Sequence, residues 1–475
     1  MINLLSPLLA NRKLLILGFG KEGQSTLRYI RQNFPGLPVS IADRDHDLVA
    51  KAGEILQSPN LTLHLGEDYL ASLPDYRLII KSPGVGLPHW LTLEPGTILT
   101  SQTHLMLEAY HRQIIGITGT KGKSTTSSLI HHLLKSSGVP SILVGNIGLP
   151  PFDYLDQVGP GTRIVFEMSS HQLEDSILAP HIAILLNLYP EHLDRYPSLE
   201  AYYSTKMRIL SGQLDGDIFI YNEDIPGISD RINKLNARRR YYSFSSGFHM
   251  EEGCYLSGDR IILCRNGHET PYVEITDDFL LKGKHNQMNM MAAVLAARNA
   301  GADDESILRG LSTFHGLEHR LEYVGEFNGI HFYNDSIATI PEATIAAVRA
   351  LPDTDTLILG GYDRMLDYST MVDFLVQSHV KNFIFLGKAG LRMYEGFQAN
   401  KKDSVSLFLA GSLQEAFVFV LQHTARGKIC LLSPAAASYD SYKNFEERGN
   451  IFKKIARGFQ ALAMIILFCR FVFFL

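Results

Sequence analysis

The sequence predicts an α/β protein of three domains, each with a mostly parallel sheet covered by helices. Three observations lead there. Short apolar runs alternate with helical patterns along most of the chain, which is how parallel sheets with helical crossovers read in sequence. Two of the strand-to-helix junctions are glycine loops of the kind that hold phosphates, at Gly18–Gly23 and at Gly119–Lys123. The length of 475 residues accommodates about three domains of 100–200 residues.

The first segment, 1–111, opens with an apolar strand from Lys13 to Leu17, followed by Gly18, Gly20 and Gly23 in GxGxxG spacing and then a helical pattern. The next strand ends at Asp43, about 20 residues on. This is a Rossmann-like unit, in which a diphosphate rests on the helix N-terminus and the acid holds a ribose hydroxyl. The spacing alone serves a nicotinamide cofactor and a uridine diphosphate equally well, so an oxidoreductase is one reading. A strand at Leu78–Lys81, a turn at Glu94–Gly96 and a further helix complete the segment.

The second segment, 112–316, begins with the most informative stretch. An apolar strand from Ile114 runs into Gly119, Thr120, Lys121, Gly122, Lys123, Ser124 and Thr125, and a helical pattern follows. Backbone N–H groups and the helix dipole make such a loop an anion cradle. Lys123 adds a cation for the outer phosphates, and the Ser124 hydroxyl suits Mg²⁺. Position 117 is Ile, so the loop departs from GxxxxGK[ST]. Nucleotide binding through ATP phosphates is expected nonetheless. A second strand ends in an acid, Glu167, as a metal-holding strand requires. A third, Ile182–Leu186, leads to Glu191, His192 and Asp194, just past a strand C-terminus where open α/β sheets place ligands. A helix is expected at 286–297.

The third segment, 317–475, alternates again, with strands expected at Thr356–Leu359, Asn382–Leu386 and Ile429–Leu432. From Phe459 to Leu475 the chain is apolar apart from Gln460 and Arg470. That run is at the short limit for a membrane span and would bury an arginine, so a helix docked on the last domain, or a tail unrelated to function, is expected instead. The net charge of −5 gives no basic excess for nucleic-acid binding. Four scattered cysteines, 254, 264, 430 and 469, fit a reduced, cytoplasmic setting.

Several runs together resemble the Mur ligase family. They are Gly145–Gly148, Ser169–Glu174, Asn187–Tyr196, Lys284–Asn289, Leu317–Arg320, Ser433–Ser438 and Lys443–Asn450, and they follow the family order. The phosphate loop alone is shared with folylpolyglutamate synthases, which give no reason for a UDP-type first domain. The resemblance is strongest to the branch that adds glutamate to UDP-N-acetylmuramoyl-L-alanine. It implies that Gly119–Thr125, Asn286, Arg320 and Asp335 bind ATP, and that Ser124, Glu167, His192 and Lys206 hold magnesium. Lys206 corresponds to the family's carbamylated lysine; by itself it reads as a solvated helix lysine. Lys123, His192 and Lys206 become the catalytic set. Gly18, Phe19, Gly20, Asp43 and Asn146 are implied for the UDP substrate, and Thr339, Arg364, Ser438 and Phe445 for glutamate.

The implied reaction makes an acyl phosphate from the substrate carboxylate and ATP, which the amine of glutamate then attacks. Closure of the third domain is expected to assemble the site, in a monomer. In one place the chain departs from the common pattern: Ile337 stands where D-glutamate enzymes of the family carry lysine, removing a charge-assisted contact. A smaller branch that attaches L-glutamate resembles this run, and a homologue without turnover is the remaining reading.

Overall fold

The computed structural model describes residues 4–9, 12–49, 53–57, 59–88, 91–147, 150–174, 176–191, 195–233, 239–247, 249–276, 279, 281, 283–400 and 405–458. Three sheets carry the fold. The chain divides into two compact units, Met1–Phe314 and His315–Leu475.

The first sheet is wholly parallel, with strands β1 (Leu14–Leu17), β2 (Val39–Asp43), β3 (Leu61–Leu65), β4 (Leu78–Lys81) and β5 (Ile98–Thr100) in the order β3-β2-β1-β4-β5. Every residue of β1 and β4 is buried, as expected for strands covered on both faces. The order reverses at β1, so the crevice for a ligand lies at the Gly18 loop.

The second sheet has nine strands: β6 (Ile114–Thr118), β7 (Ser141–Gly145), β8 (Arg163–Glu167), β9 (Ile182–Leu185), β10 (Ile218–Asn222), β11 (Arg240–Ser245), β12 (Gly253–Ser257), β13 (Arg260–Arg265) and β14 (His268–Glu274). Their order is β14-β13-β12-β11-β10-β9-β6-β8-β7. From β7 to β12 it is parallel, and β12–β14 form an antiparallel edge. The helix Lys123–Ser136 packs beside the helix Lys284–Asn299, the latter wider than the expected 286–297.

The two sheets of the first unit share one core. Leu14 and Ile16 of β1 belong to the same buried cluster as Ile114, Phe152 and Ile164. The Tyr29 and Phe152 rings pack tilted at 49° with centroids 4.8 Å apart, and Arg28 pairs with Asp153 at 2.8 Å. The change of segment expected near residue 112 is thus a change of sheet within one continuous core.

The second unit holds β15 (Glu322–Phe327), β16 (Ile330–Asn334), β17 (Thr354–Gly360), β18 (Asn382–Leu386), β19 (Ser406–Ala410) and β20 (Ile429–Leu432), in the order β15-β16-β20-β17-β18-β19. Among the described strands of this sheet, only β15 and β16 pair antiparallel. Its two faces are covered by separate buried clusters, around Leu357 and Phe385 on one side and Phe332 and Phe417 on the other. No helix among the described residues is long and apolar enough to cross a membrane. The apolar run 459–475 lies outside the described residues.

Candidate active site

The phosphate loop joins β6 to the helix Lys123–Ser136 in a conformation that only glycine tolerates at two points. Gly119 has φ +155° and Gly122 φ +84°. A Cβ on Gly119 would sit 2.9 Å from the Leu186 Cβ, and one on Gly122 only 2.4 Å from the Asn289 Oδ1. The loop is pinned to the strand end of β9. Thr120 N–H donates to the Asn187 carbonyl (3.1 Å), and Lys121 N–H donates to the Asn187 side-chain oxygen (2.8 Å). The Asn187 amide returns a bond to the Lys121 carbonyl at 3.0 Å. Ser124 and Thr125 lie in the first helical turn, whose leading N–H groups lack intrahelical acceptors.

Two ammonium groups converge on this loop. Lys123 Nζ donates to the carbonyls of Gly119 (2.9 Å) and Thr120 (3.0 Å). Lys206, on the helix Leu199–Ser211, donates to the same Gly119 carbonyl at 3.0 Å and lies 4.8 Å from the Tyr202 ring centroid. Lys206 is 2% exposed. Burial, then the Lys123 ammonium, push its pKa down to about 7, with Glu191 opposing. A buried lysine without a carboxylate in contact loses the solvation that normally holds its proton. Lys121 pairs with Glu191 on the outer side of the loop.

Glu167 ends β8, beside β6 in register, and is 0% exposed. Its Oε1 accepts from the Asn146 side-chain amide at 2.7 Å, while Oε2 is buried with no hydrogen-bond partner among the described residues. A buried carboxylate oxygen without a donor is costly, and a cation there would remove that cost. Asn146, expected at the UDP substrate, is therefore also the group that orients Glu167. His192 and Asp194 lie outside the described residues. Behind the loop, Asn286 and Asn289 share a face of their helix, with Asn289 Nδ2 donating to Asn286 Oδ1 at 3.2 Å. The roles of Asn187, Tyr202 and Asn289 were not read from sequence, although Asn187 and Asn289 stand in the runs that carry the resemblance.

In the first sheet, Gly18 adopts φ +85°. Asp43 accepts the Phe19 N–H at Oδ2 (2.6 Å) and the Asp45 N–H at Oδ1 (2.9 Å). It thus anchors the glycine loop, a role its spacing does not reveal. Gly20 caps the helix Lys21–Asn33, and Phe19 is buried. Next to it, Glu22 accepts from the Gln172 amide at 3.0 Å, and its Oε2 is buried without a partner among the described residues. Burial pushes the Glu22 carboxyl up to about 7, against the Gln172 bond and Lys81.

In the second unit, the expected residues gather where β16, β20 and β17 end. Asp335 accepts the Leu321 N–H (3.1 Å) and the Ser433 hydroxyl (2.8 Å). Burial raises its carboxyl to about 7 against those bonds and the Arg320 charge. The Arg364 guanidinium lies 5.7 Å from the Tyr439 ring, next to buried Ser438. The Phe445 carbonyl accepts the Ser336 hydroxyl at 2.8 Å, and Thr339 precedes the helix Pro341–Ala350. Arg448, 2% exposed, ties these loops together. It donates to the carbonyls of Ser336 (2.8 Å), Ala436 (3.1 Å), Ala437 (3.3 Å) and Gly360 (3.4 Å). Ile337 is half-buried, and its N–H donates to the His319 carbonyl at 3.1 Å.

Solved structures share this fold. UDP-N-acetylmuramate-alanine ligase of Thermotoga maritima aligns with a TM-score of 0.52 at 16% identity, covering 94% of this chain and 100% of that one. UDP-N-acetylmuramoyl-L-alanyl-D-glutamate–2,6-diaminopimelate ligase aligns at 0.54 and 16% identity, covering 93% and 91%. The family model for the Mur ligase middle domain matches residues 117–297, the segment that holds the phosphate loop, Glu167 and Lys206. Two curated relatives are UDP-N-acetylmuramoylalanine–D-glutamate ligases. That of Clostridium kluyveri is 32% identical over 451 residues, 94% of this chain and 96% of the relative. That of Desulfitobacterium hafniense is 35% identical over 462 residues, 94% and 98%. The chain belongs to the Mur ligase family.

Proposed function

We propose that the chain joins glutamate to UDP-N-acetylmuramoyl-L-alanine at the cost of ATP, in the cytoplasmic synthesis of peptidoglycan precursors. The observation that carries this reading is the buried Glu167 carboxylate, one oxygen unpartnered among the described residues, at a strand end beside a glycine loop with two convergent lysines. That is a site for polyanion plus cation. In this reading residues 1–111 bind the UDP moiety through Gly18, Phe19, Gly20 and Asp43, and Asn146 of the central segment touches the same substrate. Residues 112–316 bind ATP through the loop and Asn286, and residues 317–475 supply Arg320 and Asp335 for ATP and Thr339, Arg364, Ser438 and the Phe445 backbone for glutamate.

The substrate carboxylate attacks the γ-phosphorus of ATP, forming an acyl phosphate as ADP leaves. The glutamate amine then attacks the acyl carbon, the amide bond forms, and phosphate departs with the C–O bond pair. Lys123 swings from its loop carbonyls to the phosphates, where its charge meets the one that develops in transfer. Magnesium, held by Glu167, the Ser124 hydroxyl, His192 and a carbamylated Lys206, would neutralise charge on the phosphate oxygens. Carbamylation requires an unprotonated amine, because the Nζ lone pair must attack carbon dioxide while its proton leaves to solvent. Lys206 meets that requirement near neutral pH, its pKa being pushed down to about 7 by burial and Lys123.

The test is phosphate release with ATP, Mg²⁺ and UDP-N-acetylmuramoyl-L-alanine, with D-glutamate and L-glutamate offered separately. D-glutamate, the amino acid in the relatives' names, is the expected acceptor. Ile337, in place of a cation, favours the L-isomer as the second reading. Turnover with neither isomer overturns the proposal.

A further inference from the structure

At the opposite end of the central strands lies a second cluster of metal-type donors, which the ligase chemistry does not use. His111 precedes β6, His181 precedes β9 and Asp217 precedes β10, and these three strands are neighbours in the sheet. The backbone ladder continues through them: His181 N–H donates to the His111 carbonyl (3.2 Å), and Ile218 N–H to the His181 carbonyl (2.8 Å). The three side chains are therefore held in register by the sheet, though they are distant in sequence. We propose that His111 Nε2, His181 Nδ1 and the Asp217 carboxylate form a site for a zinc-class divalent cation at this edge.

Four features support it. The donor atoms lie within 4.8 Å of one another. The three groups already meet through hydrogen bonds, His181 Nδ1 to Asp217 at 2.7 Å and His111 Nε2 to Asp217 at 3.0 Å, and opening them to the roughly 3.3 Å between ligands on a tetrahedral zinc lets the ion replace those bonds. The far nitrogen of His111, Nδ1, donates to the Ala179 carbonyl at 2.8 Å, which fixes the ring so that Nε2 becomes the coordinating atom once its own proton is lost; metal-ligating histidines are ordinarily oriented this way. Asp217, fully buried, is fixed by the Leu214 N–H at 2.7 Å, while both imidazoles are 17% exposed and so are within reach of solvent. Two imidazoles with one carboxylate favour zinc over magnesium, which prefers all-oxygen shells. On binding, the proton on His111 Nε2 leaves to solvent, and His181 coordinates through Nδ1 as the tautomer with its proton on Nε2. Arg112, exposed and 3.7 Å from Asp217, moves outward.

The site is five residues of strand from the phosphate loop, about 17 Å, so its effect is on the stability of the central sheet and its test is independent of the ligase reading. The full chain is freed of metal with a chelator, returned to chelator-free buffer with excess Mg²⁺ to fill oxygen sites, and dialysed against Zn²⁺. Wild type is expected to bind one zinc more than His181→Gln, whose amide keeps a donor to Asp217. The variant's affinity at this site should fall by at least about tenfold, and zinc should raise the Tm of wild type alone. Equal binding by the two proteins, which would place zinc elsewhere, overturns the proposal, as does no binding by wild type. Co²⁺ in the wild-type chain gives a reading that needs no variant: tetrahedral absorption bands are expected, and a purely octahedral spectrum overturns the assignment.

Discussion

Lys123 and Lys206 share one carbonyl acceptor, an arrangement that two ammonium groups in water would avoid. It persists because Lys206 is buried and loses much of its hold on a proton, which weakens the repulsion between the two. Replacing Lys123 or His192 by Ala is expected to lower turnover at least about a hundredfold, measured as phosphate release with both substrates saturating. Glu22 gives a prediction of a different kind. Its folded pKa, about 7, stands above its ordinary value of 4.5. The folded state therefore favours the protonated form, and that contribution is complete below about pH 4.5 and is lost as pH rises through 7. Glu22→Gln removes the titration. Urea midpoints of wild type should fall relative to the variant between pH 5 and 8, and parallel curves would refute the assignment.

At the scale of elements, the phosphate loop works because its two left-handed glycines let the backbone approach β9 and the Lys284–Asn299 helix closely. Gly122→Ala would place a methyl 2.4 Å from the Asn289 Oδ1 at φ +84°. Strain of about 1–3 kcal/mol is expected, with Tm lowered and ATP affinity reduced together in calorimetry. The loops of the second unit are held differently. The conformations are set there by a buried arginine with carbonyl partners on three strand ends, and by non-glycine residues at positive φ, including Ala435 and His319. Such strain persists only where the surroundings over-determine it. Asp43 shows why a motif can be read correctly and its acid still be only partly understood: its spacing fits a ribose contact, but its oxygens already accept two backbone N–H groups.

For the whole molecule, the cores predict which pieces stand alone. Residues 315–475 carry two buried clusters of their own, so that fragment should give a cooperative thermal transition. Residues 1–111 share their main cluster with the central sheet, and alone should show no such transition; a sharp one would contradict the shared core. The sequence by itself determined the alternation of strand and helix, both glycine loops, the acid ending β8 and the family, because these depend on local period and on residue types that the backbone demands at fixed spacing. Expected strands at Thr356–Leu359, Asn382–Leu386 and Ile429–Leu432 lie within β17, β18 and β20 for that reason. Only the tertiary structure decided the shared core of the first two sheets, the antiparallel edge from β12 to β14, the locks at Asn187, Asn289 and Arg448, and the meeting of His111, His181 and Asp217. Those depend on which strands become neighbours. Strand order is set by the packing of many distant apolar side chains, and no local pattern encodes it.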